Sequence, residues 1–435
     1  MQLERLDRAE VAALGGPAAA AVRIRSLIPD GASVAVEVSA IVQGVREGGD
    51  AALLDYVRRF DTAGAEPPGL RVAPGVLDDA IKQMPLELVA GLQVAIANVA
   101  LVAERGVGEE ATVELPQGHS VRLREIPVRS AAVYVPGGRA AYPSTVVMGV
   151  VTARAAGVLD VVVCAPPGPD GEIDAAILGT CRLCGVERVY RMGGAHAIAA
   201  LTYGTDSVDR VDVIVGPGNL YVQEAKHQLS ALVGIDGFAG PSDLLVVLGA
   251  ETGEREIRLA ALDMLAQAEH GEGSLVAAVS PVAEICERLA TTLAELVVQR
   301  PTVGEAAFAI VTVESPTDAL ALANAFAAEH LQLIGADVER LAGKVQAAGC
   351  LFVGAESATA FGDYVGGSNH ILPTGGAARF ASGLTPRHFR RRMTEVRIGR
   401  GAAKLAAAGA PIARAEGFEV HAESMEARIG ENEEQ

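Results

Sequence analysis

From Ser130 onward the chain alternates short apolar runs, Gly-rich turns and amphipathic stretches. "SAAVYVPGG" is followed by "STVVMGVVTARAAG", "LDVVVCAPPGPDG", "IDAAILGTCRLCG", "VERVYRMGG", "AHAIAALTYG", "VDVIVGPGN" and "LYVQEAKHQLSALVG". Four strands alternating with helices predict a parallel sheet wound by right-handed crossovers. A second such series follows "FAGPSD": strand "LLVVLGA", helix 255–270, strand "SLVAAVS", helix 281–298, strand "AFAIVTV", helix 316–330 and strand "GCLFVGA". Before Ser130 the texture is helical, with apolar positions recurring at three and four in "VSAIVQGVREGGDAALLDYVRRFD" and "LELVAGLQVAIANVALVAERG". The predicted fold class is α/β: two Rossmann-like parallel-sheet domains plus small helical N- and C-terminal parts. The expected boundaries are a helical arm over 1–25, a first α/β domain from 26–129 and 242–382, a second over 130–241, and a helical tail over 383–435. The apolar stripes of residues 40–105 need a surface to cover, and the first domain is assigned to provide it.

Composition adds exclusions. At 435 residues, half of them apolar and 21% charged, the chain is globular and long enough for more than one core. With 36 Lys and Arg against 54 Asp and Glu, its net charge of −18 repels phosphate backbones, so nucleic acid is not an expected partner. "MQLERLDRAE" lacks the apolar core of a signal peptide, and no uncharged apolar run reaches the roughly 20 residues that span a bilayer, so a soluble cytoplasmic protein with no membrane partner is expected. Five scattered cysteines fit a reducing compartment, and Cys181 and Cys184, a CxxC without a second pair, read as core residues.

Candidate chemistry sits at loops and helix ends. Gly-rich turns at 135–138, 191–196 and 215–219 follow strands, where backbone amides can approach a pyrophosphate. None is a GxGxxG fingerprint, so tight turns are the plain alternative to a dinucleotide site. Gln267 and His270, three apart in "AQAEHG", share one helix face, and the tripeptide Ala-Glu-His recurs at Glu329 and His330. Asp363 and His370 stand in the nearly uncharged loop "FGDYVGGSNHILPTGG", and Glu416 and His421 in "AEGFEVHAESMEAR". Two imidazoles, a carboxylate and an amide oxygen make a divalent-metal shell, zinc being the default without thiolates. Spacing does not say which four meet.

These pieces, with "VREGGDAALLDYVRRFD", "VYVPGGRAAYPSTV", "GGAHAIAAL", "GPGN" and "AAEHLQL", occur in the order of the histidinol dehydrogenase family, which the chain resembles over nearly its whole length. The resemblance implies NAD-dependent oxidation of L-histidinol through the aldehyde to L-histidine, with one zinc ion per subunit. It implies Gln267, His270, Asp363 and His421 as metal ligands, and Glu329 and His330 as general bases. Tyr134, Asn219 and position 196 would line the NAD site. Ser242, His370 and Glu416 would touch substrate together with the ligands and His330. It further implies a domain-swapped homodimer whose tail carries His421 to the partner's metal. Three positions depart from the family pattern: His196 stands where Gln is usual, Asp243 where Glu is usual, and Phe238 where smaller residues are common. Two rival readings are a same-superfamily dehydrogenase of another small alcohol, such as a sulfonated diol, and a zinc hydrolase using Glu329 to activate water.

Overall fold

The computed structural model describes residues 2–28, 33–137, 140–237, 240–271, 273–303 and 306–429; Phe238 and Gly138 lie outside them. The chain divides into two compact units, one of Met1–Gly106 with Arg129–His388 and one of Val107–Val128 with Phe389–Gln435.

The first unit holds two parallel sheets. One takes the strands in the order Arg188–Arg191, Asp160–Ala165, Ser130–Tyr134, Val213–Val215, Gly234–Ile235, so the chain winds outward in one direction and then reverses beside Ser130–Tyr134. All five residues of Ser130–Tyr134 are buried, as expected of a strand covered on both faces. The other sheet runs Gln2–Leu6, Ala307–Thr312, Leu275–Ser280, Asp243–Leu248, His330–Ile334, Cys350–Val353, again parallel throughout, with its reversal between Asp243–Leu248 and His330–Ile334.

The N-terminus opens with a strand, correcting the purely helical arm expected over 1–25. Leu3 packs toward one core and Leu6 toward the core on the other face of the sheet. On this edge strand Glu4 and Arg5 stay polar by pairing with Arg23 and Glu287. An apolar spacing of three combined with interleaved charge resembles a helix, which is why the pattern misled.

A second correction concerns the helices of 35–105. Helix Ala35–Tyr56 packs on Gly194–Tyr203 and Leu220–Leu229, Pro74–Gln83 on Ala175–Leu183, and Leu86–Arg105 on Pro143–Ala155. They therefore cover the 130–235 sheet, not the 243–353 one. Val38, Val42, Val45, Leu53 and Val57 share a core with Ile198, Leu201, Val222 and Leu229. A stripe reveals that a helix needs a partner but not which of two sheets supplies it. Leu86–Arg105 is long and apolar enough to cross a membrane by composition, yet its stripe of Leu92, Ala95, Val99 and Ala103 is buried within the protein.

The second unit corrects the helical tail expected from 383. Its sheet is antiparallel, ordered Arg390–Arg397, Ser120–Pro127, Ala111–Glu114, and beyond it helices Ala402–Ala415 and Glu419–Glu426 pack on each other. The basic run "RRRMTEVR" becomes a strand because cross-strand partners answer its charges: Arg392 meets Glu125 directly opposite, and Glu395 lies by Arg124.

Candidate active site

Strands Asp243–Leu248 and His330–Ile334 are neighbours, and the residues just before them, Ser242 and Glu329, open the amino edge of the sheet. The helix expected over 316–330 stops earlier, at Phe326, because Ala327 turns left-handed at φ 51°. Arg25 secures that stop, donating through Nε to the Phe326 carbonyl at 2.8 Å while its guanidinium lies 3.9 Å over the Phe326 ring. Glu329 and His330 are thus at a strand start rather than a helix end.

Their surroundings are polar and closed. Glu329 Oε2 accepts the Ser242 hydroxyl at 2.5 Å and the Asp243 N–H at 2.9 Å. Asp243 in turn accepts the Glu329 N–H at 2.7 Å through one oxygen, and Arg25 and the Gly375 N–H, each at 3.1 Å, through the other. Burial pushes the Glu329 carboxyl up to about 7, His330 offsetting part of the rise. His330 Nε2 lies 3.3 Å from Asp363, Nδ1 is buried 3.9 Å from Glu329 without a hydrogen-bond partner, and the ring stacks on Phe352. Burial alone would lower the His330 pKa, but Asp363 and Glu329 outweigh it and favour the imidazolium. Asp363 is buried too, yet the His330 hydrogen bond holds it below the usual carboxylate range.

Of the other predicted residues, Gln267 is buried at the last turn of helix Glu254–Ala268 and donates to Ser242, so it joins this cluster. His270, exposed two residues past the helix, is near enough for its charge to act on Asp363. His370 Nδ1 lies 2.8 Å from the Asp363 carbonyl and Nε2 3.3 Å from Thr145 of the other sheet's helix Pro143–Ala155; burial pushes its pKa down. Asn369 bonds the same helix at Met148 and Thr152, so the loop ties the two halves together. Glu416 and His421 belong to the second unit, where both are exposed.

As donors for a cation, an amide oxygen, an imidazole and a carboxylate are chemically suitable. They also lie by a helix C-terminus, whose carbonyls favour positive charge. The set is incomplete: among the described residues, no three His, Cys, Asp or Glu side chains are gathered closely enough to hold an ion.

The predicted cofactor residues meet elsewhere, at the carboxyl edge of the other sheet, where its strand order reverses. A cleft of about 1350 Å³ is lined by Tyr134, His196 and Asn219 together with Tyr56, Phe60 and Asp61. Gly216, at φ +121°, passes so close to the Tyr134 carbonyl that no side chain fits there. Several amides expected to be open to a pyrophosphate are already bonded. Gly193 N–H donates to Asp61 at 2.9 Å, Gly194 N–H to the Tyr134 hydroxyl at 3.2 Å, and Gly216 N–H to Asp236 at 2.6 Å. Lys226 pairs with Asp236 at 2.7 Å and is buried. Asn219 caps helix Leu220–Leu229 through Oδ1. Sequence reading missed Arg25, Asp61, Lys226 and Asp236 as site builders. Asp236 alone stands as a charge in an otherwise apolar segment, "LVGIDGFAG", while Arg25, Asp61 and Lys226 lie among other polar residues and give no local signal.

The protein is thus of the α/β class, a parallel sheet with an open cleft at its reversal joined to a second parallel sheet bearing a buried carboxylate–imidazole pair. The family model described as histidinol dehydrogenase matches residues 28–429. The chain is 38% identical to the histidinol dehydrogenase of Gluconobacter oxydans over 410 residues, 93% of this chain and 94% of that one. It is 40% identical to that of a Synechococcus strain over 398 residues, 90% and 91% of the two chains. The crystal structure of histidinol dehydrogenase from Elizabethkingia anophelis superposes with a TM-score of 0.89, covering 99% of this chain and 98% of that one at 28% identity. The chain belongs to the histidinol dehydrogenase family and is an NAD-dependent oxidoreductase.

Proposed function

We propose that this chain oxidises L-histidinol through L-histidinaldehyde to L-histidine, reducing two NAD, as a zinc-containing cytoplasmic homodimer. The observation that carries the reading is the buried pair at the amino edge, a carboxyl poised at about 7 beside an imidazole with a free nitrogen. A general base serves best with a pKa near the working pH. In the first step His330 takes the hydroxyl proton as hydride leaves the carbinol carbon for NAD. Glu329 then takes a proton from water as it adds to the aldehyde while the His330 imidazolium returns its proton to the carbonyl oxygen, and the hydrate so formed surrenders the second hydride as the neutral His330 takes its hydroxyl proton. Ser242 and the Asp243 N–H hold Glu329 in place.

Gln267, His270 and Asp363 would hold zinc, completed by His421 of the partner subunit, with His370 and Glu416 toward the substrate. Bound zinc would orient the substrate's nitrogens and draw the charge of Asp363 away from His330. Tyr134, His196 and Asn219 would hold NAD. A zinc hydrolase leaves the cleft at the Gly-rich turns without a role, and the family model and relatives that match nearly the whole chain are named histidinol dehydrogenase, which speaks against the sulfonated-diol reading. The test is absorbance at the NADH band. It should rise with L-histidinol and with L-histidinaldehyde, and stay flat with a sulfonated diol or with amides and esters. NADH from the diol and none from L-histidinol would refute the assignment.

A further inference from the structure

Asp61 ends the single π-helical turn Val57–Asp61 that follows helix Ala35–Tyr56. Its side chain is only 6% exposed, and among the described residues no Lys or Arg pairs with it; its ionisable partner is His196, 3.0 Å away through Nε2 and 1% exposed. The same oxygen, Oδ2, accepts the Gly193 N–H at 2.9 Å, so one carboxylate oxygen fixes both the turn and the ring. The ring is also held by aromatic neighbours, with Tyr56 5.9 Å and Phe60 6.1 Å from its centroid. A side chain on Gly193 would collide with Pro166 and crowd Asp61 Oδ1, so only glycine lets the turn pack this closely. All of these residues except Gly193 line the cleft assigned to NAD.

At the start of helix Gly194–Tyr203 the Gly193 N–H is thus taken by Asp61, which occupies the helix terminus that an incoming anion would otherwise use. We propose that Asp61 is a positioning residue of the cofactor site: it holds the Gly193–Gly194 turn and the His196 ring in the shape that receives NAD, and the dinucleotide's phosphates bind elsewhere in the cleft. This rests on the assignment of the cleft to NAD.

The test is steady-state kinetics of the full-length protein with L-histidinol and NAD, for Asp61→Asn, His196→Gln, the double variant, and Tyr134→Phe and Asn219→Ala as reporters of the cleft. Losing the charge-assisted bond should raise KM for NAD about tenfold. The maximal rate and the KM for L-histidinol should change less than about twofold, a split that a merely structural role would not produce. In the His196→Gln background the same change should cost less than about threefold, because Asp61 then has no imidazole to hold and only its bond to the Gly193 turn is left to lose. Should Asp61→Asn fail to fold, Asp61→Glu keeps the charge but displaces the oxygen, and it should raise KM for NAD likewise. An unchanged KM for NAD, a loss confined to maximal rate, or equal losses in both backgrounds would overturn the proposal. If Tyr134→Phe and Asn219→Ala raise KM for NAD while the Asp61 variants do not, the proposal alone fails. If none of them changes it, the cleft assignment fails as well.

Discussion

Glu329 commits one oxygen, Oε2, to Ser242 and the Asp243 N–H. Since only the second half-reaction needs activated water, Glu329→Gln should lower aldehyde oxidation by roughly 10² to 10⁴ and alcohol oxidation by much less. Only the ionised carboxylate is a base, so with a pKa of about 7 wild-type aldehyde oxidation should fall as pH drops through neutrality. The variant should lose that limb of the profile. Rapid-mixing measurements with alcohol and aldehyde supplied separately check this, and equal losses in the two would contradict it. At this scale the sequence offered candidate residue types but not their placement. "ANAFAAEH" keeps helical apolar spacing to its end, and the helix stops at an alanine held by Arg25, some 300 positions away in the chain. No local pattern encodes that.

At the scale of the element, helix Glu254–Ala268 carries the site by its last turn and a buried acid one turn earlier. Asp263 accepts from Gln332 at 2.8 Å, and burial pushes its pKa from 3.8 to about 6. The folded protein therefore keeps a proton there that the unfolded chain has released. Stability should fall as pH rises from about 4 to about 6, by about 3 kcal/mol for this group. Asp263→Asn removes the cost of the buried charge, so its melting temperature should exceed that of the wild type near pH 8 and match it near pH 4. A gap independent of pH would show that another effect dominates. The helix itself was legible, because its apolar positions at 257, 260, 261, 264 and 265 repeat at three and four. The strand Gln2–Leu6 was not, since its two leucines face different cores.

Over the whole molecule, charge and backbone direction agree. In the first sheet the Gly-rich turns stand at the carboxyl edge, where the N-terminus of helix Gly194–Tyr203 is answered by Asp61. In the second the reacting residues stand at the amino edge, where a helix C-terminus favours a cation. The alternation of strands and helices made both sheets legible. How the two halves meet was not, because it depends on contacts distant in sequence such as His370 with Thr145. On the proposed function, a single Glu329–His330 pair serves two successive oxidations without release of the aldehyde. Counting NADH formed per L-histidinol consumed, with the enzyme in catalytic amount and an aldehyde trap present, tests this most directly. Two NADH per L-histidinol with the trap empty is the predicted result; one NADH, with aldehyde accumulating in the trap, would contradict it.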